Sequence, residues 1–178
     1  AYEIPKRDWS SDVCSSDLAI FMAAMISADS KYDHYKSGTE SFTAEELSGY
    51  NIFLSKKCST CHKEPLFTDL TYRNNGLDST FEKDAGRARI TTLAVDSGLF
   101  KVPSLRNVEL SQPYMHDGRI KTLYDVLEHY NSGIVNSSTL DTALVGGIAL
   151  NANEKSDLIA FLKTLTDKKF VTNKSFAK

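Results

Sequence analysis

The chain has 178 residues, a formal charge of −2 at pH 7 and 41% apolar residues. This length corresponds to about one domain, and the apolar fraction is sufficient for a folded core. A near-neutral chain lacks the basic surface that phosphate binding normally needs, which argues against a nucleic-acid partner. The longest apolar run, Leu18 to Ile26, is shorter than the ~18 to 20 residues that span a bilayer.

Residues 8–18 read as a non-native insertion. Their sequence repeats Ser-Ser-Asp, has no helical or strand period, and matches a translated short-read sequencing adapter at every position. Such segments are left out of fold reasoning, which sets aside Trp9 and Cys14. We expect a non-native or out-of-register segment at 1–18, one folded domain at 19–168 and a flexible tail at 169–178. Because the chain starts at Ala1 rather than methionine, we also expect a fragment.

The first half of the domain predicts two helices. Leu18 to Ser27 is rich in Ala and Met, which is typical of the end of a helix. Thr43 and Glu46 form a Thr-x-x-Glu capping box. The helix that this box opens has Leu47, Tyr50 and Leu54 at helical spacing, which predicts its buried face, and it runs directly into Cys58.

The second half predicts a long loop followed by two further helices. Glycine and proline punctuate 66–107, which indicates irregular structure. Thr122 starts a helix that ends near Gly133. Asn153 is placed to cap a last helix, whose predicted apolar face is listed here: Leu158, Phe161, Leu162 and Leu165. So long a loop is unusual in a compact domain unless something other than side chains supplies part of the core.

The motif that carries chemistry is Cys58-Ser59-Thr60-Cys61-His62, a C-x-x-C-H haem attachment sequence. Two cysteines three apart on a helical turn can each form a thioether with one vinyl group of haem, and His62 then projects under the iron as proximal ligand. A thioredoxin-like motif would follow a strand in a βαβ pattern, and a structural zinc site needs four ligands. The sequence shows neither, so we predict one covalent haem c, against which the long loop can pack.

Several further blocks resemble the bacterial di-haem cytochrome c peroxidase family. They lie between about Ile20 and Asp167 in the family's order and include the stretches 30–33, 65–69, 84–87, 100–107, 113–118 and 122–133. The resemblance implies an all-α, cytochrome c-like haem domain with long loops, located in the periplasm. In that family the N-terminal haem binds hydrogen peroxide, and the C-terminal haem receives electrons from a small cytochrome c or cupredoxin. This chain resembles the C-terminal domain, so the N-terminal haem domain is expected to be missing; a homodimer is a further expectation.

The resemblance leaves the sixth iron ligand open among Met115, His116, His129 and Tyr130. Typical peroxidases of the family carry a methionine where this chain has Tyr130. A tyrosine there is similar to the tyrosine-ligated branch, which includes the enzyme that matures the tryptophan-derived cofactor of methylamine dehydrogenase. A phenolate favours ferric iron, whereas a thioether favours ferrous iron. We rank Tyr130 first and Met115 second; the alternative interpretation of both is core packing.

Other positions take roles from the resemblance alone. His116 is expected near the interface between the two haem domains, and the backbone carbonyls of Ser111 and Pro113 are expected to bind calcium, with a further ligand in the missing half. Four basic residues are candidates for pairing with haem propionates, or else are solvated surface charges: Arg87, Arg89, Lys101 and Arg106.

The expected function is electron transfer in a peroxidase that reduces hydrogen peroxide to water. Two alternatives stay open. One is a tyrosine-ligated di-haem enzyme that oxidises a partner protein. The other is a simple mono-haem electron carrier.

Overall fold

A computed structural model describes the backbone of residues 11–176, with side chains from Ser15 onward. The described part is rich in short helices: α1 (Ser11–Ala24), α2 (Lys31–Lys36), α3 (Ala44–Ser55), α4 (Cys58–Cys61), α5 (Ala88–Thr91), α6 (Leu123–Glu128), α7 (Ala152–Lys163) and α8 (Lys168–Val171). A π-helix, His129–Gly133, continues α6. Long loops join the helices, and among residues 11–176 they contain one small sheet, in which β1 (Tyr72–Arg73) runs antiparallel to β2 (Phe100–Lys101). The helix-rich architecture with a long central loop agrees with the sequence; the two short strands were not predicted.

Local side-chain capping explains where the helices begin. Thr43 and Glu46 form the predicted capping box at the start of α3, with the Thr43 hydroxyl accepting from the Glu46 N–H. Thr122 caps α6 by accepting from the backbone N–H of Asp125, also as predicted. The continuation of α6 ends at Gly133, which confirms the predicted stop.

The predicted cap of the last helix is wrong by two residues. Asn151, not Asn153, is the N-cap of α7. Its side chain accepts from the backbone N–H of Glu154, whose carboxylate accepts from the Asn151 N–H. Asn153 lies inside the first turn. Glu154 therefore decides the start, because it stands three residues after Asn151 and completes a capping box there.

The helices α3 and α7 pack against each other at unusually close range around Gly49. A Cβ atom on Gly49 would lie 1.9 Å from the carbonyl oxygen of Asp157 and 2.9 Å from the Cβ of Phe161. This approach turns α3 so that Gly49 and Phe53 are buried, while Leu47 and Leu54 are 41% and 43% exposed. The predicted apolar face of α3 is confirmed for Tyr50, which packs against the core, and is wrong for the two leucines, because the close contact at Gly49 sets the orientation of the helix.

An aromatic core lies between α2, α3, α7 and the loop after α4. Phe67 and Phe161 are both 0% exposed, and Phe53 is 1% exposed. The ring centroid of Tyr32 lies 4.8 Å from that of Phe67 in an edge-to-face contact. The predicted face of α7 is confirmed: Leu158, Phe161, Leu162 and Leu165 are all buried.

The two ends of the described chain add little to this core. Helix α1 covers residues 11–18, for which no helical period was seen; the Ala-, Leu- and Met-rich residues after Asp17 favour a helix that extends backward. Leu18 and Ile20 on it are 55% and 68% exposed. Within the segment expected to be a flexible tail, Lys168–Val171 and Lys174–Phe176 form short helices. None of the helices described is long and apolar enough to cross a membrane.

Candidate haem attachment site

The attachment turn follows directly from α3. Lys57 adopts a left-handed conformation (φ 65°) that redirects the chain between α3 and α4. The backbone N–H of His62 donates to the carbonyl of Cys58 at 3.0 Å, which closes one helical turn around the two cysteines. Both thiols are free and partly buried. Burial raises the pKa of Cys61 and raises that of Cys58 to about 11, so both sulfurs stay protonated at neutral pH.

The imidazole of His62 is held by two backbone carbonyls. Its Nδ1 lies 3.1 Å from the carbonyl oxygen of Phe67 and 3.2 Å from that of Pro103. Because a carbonyl oxygen only accepts, Nδ1 carries the proton and Nε2 keeps its lone pair. Burial also lowers the pKa of His62, which favours the neutral ring. A neutral imidazole with a donated Nδ1–H and a free Nε2 is the form that binds metals.

Met115, one of the two ranked sixth-ligand candidates, contacts a residue that the sequence did not single out, Asn75. The Nδ2 of Asn75 donates to the sulfur of Met115 at 3.2 Å. Burial raises the pKa of the Tyr130 phenol to about 12, and the Asn75 side chain acts on that pKa in the opposite direction. The charges of Cys58 and Cys61 would also raise that pKa, so the phenol lies near both attachment cysteines.

The other two histidines of this region are engaged elsewhere. His129 is buried, and its Nε2 lies 3.0 Å from the backbone carbonyl oxygen of Asn75. His116 is exposed and stacks on Phe100, with ring centroids 3.6 Å apart and planes 10° from parallel. Ser111 and Pro113, the predicted calcium ligands, are both exposed in the turn before Tyr114.

Three arginines of this region are paired with carboxylates. Arg106 is bound to both carboxylate oxygens of Asp33 at 2.9 Å and so belongs to the folded core. Arg87 pairs with Asp96 at 3.3 Å. Arg73 was not singled out from the sequence; it pairs with two carboxylates and acts on the pKa of Cys61, which places it beside the attachment turn. Asp69 lies four residues before Arg73, but the second partner, Asp141, is brought in only by folding, so the sequence alone does not mark this pairing.

The donor set fits haem c. Two free thiols stand three residues apart, and the adjacent imidazole presents a free nitrogen, while the Met115 thioether accepts from the Asn75 amide. Among the described residues, no group of three or more His, Cys, Asp or Glu side chains is placed to hold a metal ion. The arrangement can therefore attach a porphyrin covalently and offer one nitrogen to its iron.

No family model matches the chain. Curated proteins do: the cytochrome c551 peroxidase of Nitrosomonas europaea is 33% identical over 159 residues, which are 87% of this chain and 44% of that protein. The methylamine utilization protein MauG of Methylophilus methylotrophus is 34% identical over 154 residues, 83% of this chain and 45% of that protein. The chain thus spans about half the length of these relatives.

Solved structures of related proteins are also similar to this chain. A MauG-like protein associated with microbial copper homeostasis superimposes with a TM-score of 0.78 at 34% identity, over 85% of this chain and 52% of that one. The diheme peroxidase BthA from Burkholderia thailandensis superimposes with a TM-score of 0.62 at 22% identity, over 81% of this chain and 48% of its own, and supports the fold alone.

Proposed function

Since this chain belongs to the family of the bacterial di-haem cytochrome c peroxidases and MauG-like proteins, we propose that it is the C-terminal, electron-transferring haem c domain of such an enzyme, located in the periplasm. The observation that carries the proposal is the state of His62. Its Nδ1 donates to two backbone carbonyls, and its Nε2 is left free beside two unpaired thiols.

Each residue of the attachment turn has a defined task. Cys58 and Cys61 would each hold haem by a thioether, formed when the thiol S–H adds across one vinyl group, with sulfur bonded to one vinyl carbon and hydrogen to the other and no oxidant needed. His62 would offer Nε2 to the iron, while the carbonyls of Phe67 and Pro103 fix the ring and increase its basicity. When bound, haem c supplies a one-electron ferric/ferrous couple.

For the sixth ligand we propose Tyr130, with Met115 as the competing candidate. The phenol of Tyr130 lies near both attachment cysteines and is carried by a π-helix, a feature that is often found at functional sites. A tyrosine ligand would stabilise the ferric state and lower the potential relative to a methionine ligand.

The activity of the whole enzyme is proposed as the reduction of hydrogen peroxide to water, with electrons from a small cytochrome c or cupredoxin and the peroxide bound at an N-terminal haem. Oxidation of a partner protein is the second candidate, and Tyr130 beside the attachment turn favours it. A calcium ion on the carbonyls of Ser111 and Pro113, and a homodimer, remain parts of the proposal.

The test is an absorption spectrum of the chain expressed with c-type haem maturation. A haemochrome assay on the denatured protein reports covalent haem, which we expect in the parent and not in a Cys58→Ala/Cys61→Ala variant. We expect a tyrosinate-type ferric spectrum that is lost in Tyr130→Phe and kept in Met115→Leu. Absence of covalent haem in the parent would refute the haem domain, and a methionine-to-iron charge-transfer band would refute Tyr130 as ligand.

A further inference from the structure

Asn75 contacts two of the four candidate sixth ligands, Met115 and His129. Its amide nitrogen donates to the Met115 sulfur at 3.2 Å, and its backbone carbonyl oxygen accepts from His129 Nε2 at 3.0 Å. Each contact engages an atom that would otherwise be free to bind iron. Asn75 therefore affects which candidate is available as a ligand.

The backbone around Asn75 is held firmly against the segment that carries Tyr130. Gly76 is buried, and its carbonyl accepts from the N–H of Val135 at 2.8 Å. A Cβ on Gly76 would lie 2.6 Å from a side-chain carbon of Ile134, so the two segments are in direct contact. The buried side chain of Asn74 fixes the same turn by accepting from the Gly76 N–H at 2.8 Å. The Asn75 amide therefore projects from a rigid support.

The contact with Met115 opposes its use as a ligand. The sulfur accepts an N–H from Asn75 at 3.2 Å, and Met115 has a left-handed backbone (φ 71°), which restricts the directions that its side chain can take. To bind iron, the sulfur would have to give up this hydrogen bond and leave a partly buried amide without its acceptor.

We propose that Asn75 is a positioning residue that selects the sixth ligand: it restrains the Met115 sulfur and thereby leaves the iron to Tyr130. The inference rests on the proposed haem c domain and on Tyr130 as its ligand. It predicts that removal of the Asn75 N–H donor converts part of the population from tyrosine to methionine ligation.

Two substitutions remove the donor in different ways. Asn75→Leu keeps a similar volume without any polar group, and Asn75→Asp keeps the shape but replaces the amide with an acceptor-only carboxylate. In both we expect a methionine-to-iron charge-transfer band that the parent lacks, together with a higher midpoint potential. Asn75→Gln retains the amide donor and is expected to keep the tyrosinate spectrum. The band should disappear again in an Asn75→Leu/Met115→Leu double variant.

The outcomes separate this inference from the proposed function. A parent without covalent haem in the haemochrome assay would refute the proposed function and, with it, the inference. A haem-loaded parent with a tyrosinate spectrum that is unchanged in both Asn75→Leu and Asn75→Asp would refute the inference alone. If Asn75→Leu does not incorporate haem, the spectrum of the nearly isosteric Asn75→Asp variant alone decides whether the inference holds. A methionine band already present in the parent would refute the restraint of Met115.

Discussion

Replacement of Gly49 by alanine tests whether the close contact between α3 and α7 organises this domain. Alanine is the better helix former, and in an open helix the change would stabilise by about 1 kcal/mol. In this structure the new methyl carbon would lie 1.9 Å from the Asp157 carbonyl oxygen, a main-chain atom that no rotamer change can move. The two helices would therefore have to separate by about 1 Å or more.

The neighbours of Gly49 cannot absorb that separation. Phe161 is 0% and Phe53 is 1% exposed, so both rings are packed on all sides. Overpacking of a well-packed core costs about 1–3 kcal/mol, and a gap of 0.5–1 Å forfeits roughly a quarter to a half of the dispersion energy of the atoms that face it. We set these losses against the gain in helix propensity and expect Gly49→Ala to lower the free energy of unfolding by about 2 kcal/mol.

Urea denaturation of the haem-loaded chain, followed by far-ultraviolet circular dichroism, measures this change. Asn51→Ala is the matched control, because Asn51 is exposed on the same helix and should gain a few tenths of a kcal/mol. If Gly49→Ala proved as stable as Asn51→Ala, the close approach of the helices would be refuted. Because α3 leads directly into Cys58, we also expect a lower yield of covalent haem in Gly49→Ala.

Two further predictions concern local contacts. Asn151→Ala should destabilise by about 1 kcal/mol because it removes the α7 cap, whereas Asn153→Ala should change stability by less than about 0.5 kcal/mol; equal effects in urea titrations would contradict the observed cap. Burial alone would raise the pKa of Asp33, but hydrogen bonds from Arg106 and Ser30 lower it to about 2. The resulting stabilisation, about 2 kcal/mol, is present above the unfolded pKa near 4 and is lost as pH falls toward 2. Asp33→Asn should therefore be less stable than the parent at pH 7, with a difference that shrinks between pH 4 and pH 2; a constant difference would contradict the pairing.

Sequence patterns predicted those elements that depend on neighbouring residues. The capping box of Thr43 and Glu46, the cap at Thr122 and the buried face of α7 are all local features, and all are confirmed. The family resemblance is likewise borne out by the comparisons, because it rests on several separate stretches in order.

The failures have a common physical cause, which is contact between segments distant in sequence. The prediction that Leu47 and Leu54 are buried was wrong because Gly49 contacts Asp157 on another helix, which no periodicity of α3 can reveal. Asn75 was missed because an asparagine after a loop looks like any turn residue. Its contact with Met115, which lies 40 residues further along the chain, is formed only by folding.

The acceptors of His62 have a consequence for how this site can vary among related proteins. Both are main-chain oxygens, of Phe67 and Pro103, so substitution at either position changes the side chain and leaves the acceptor in place. The amino-acid sequence of the loop can therefore change as long as the backbone keeps the same path. Side-chain identity at these two positions therefore carries no information about the hydrogen bond, because the acceptor belongs to the backbone of any residue type.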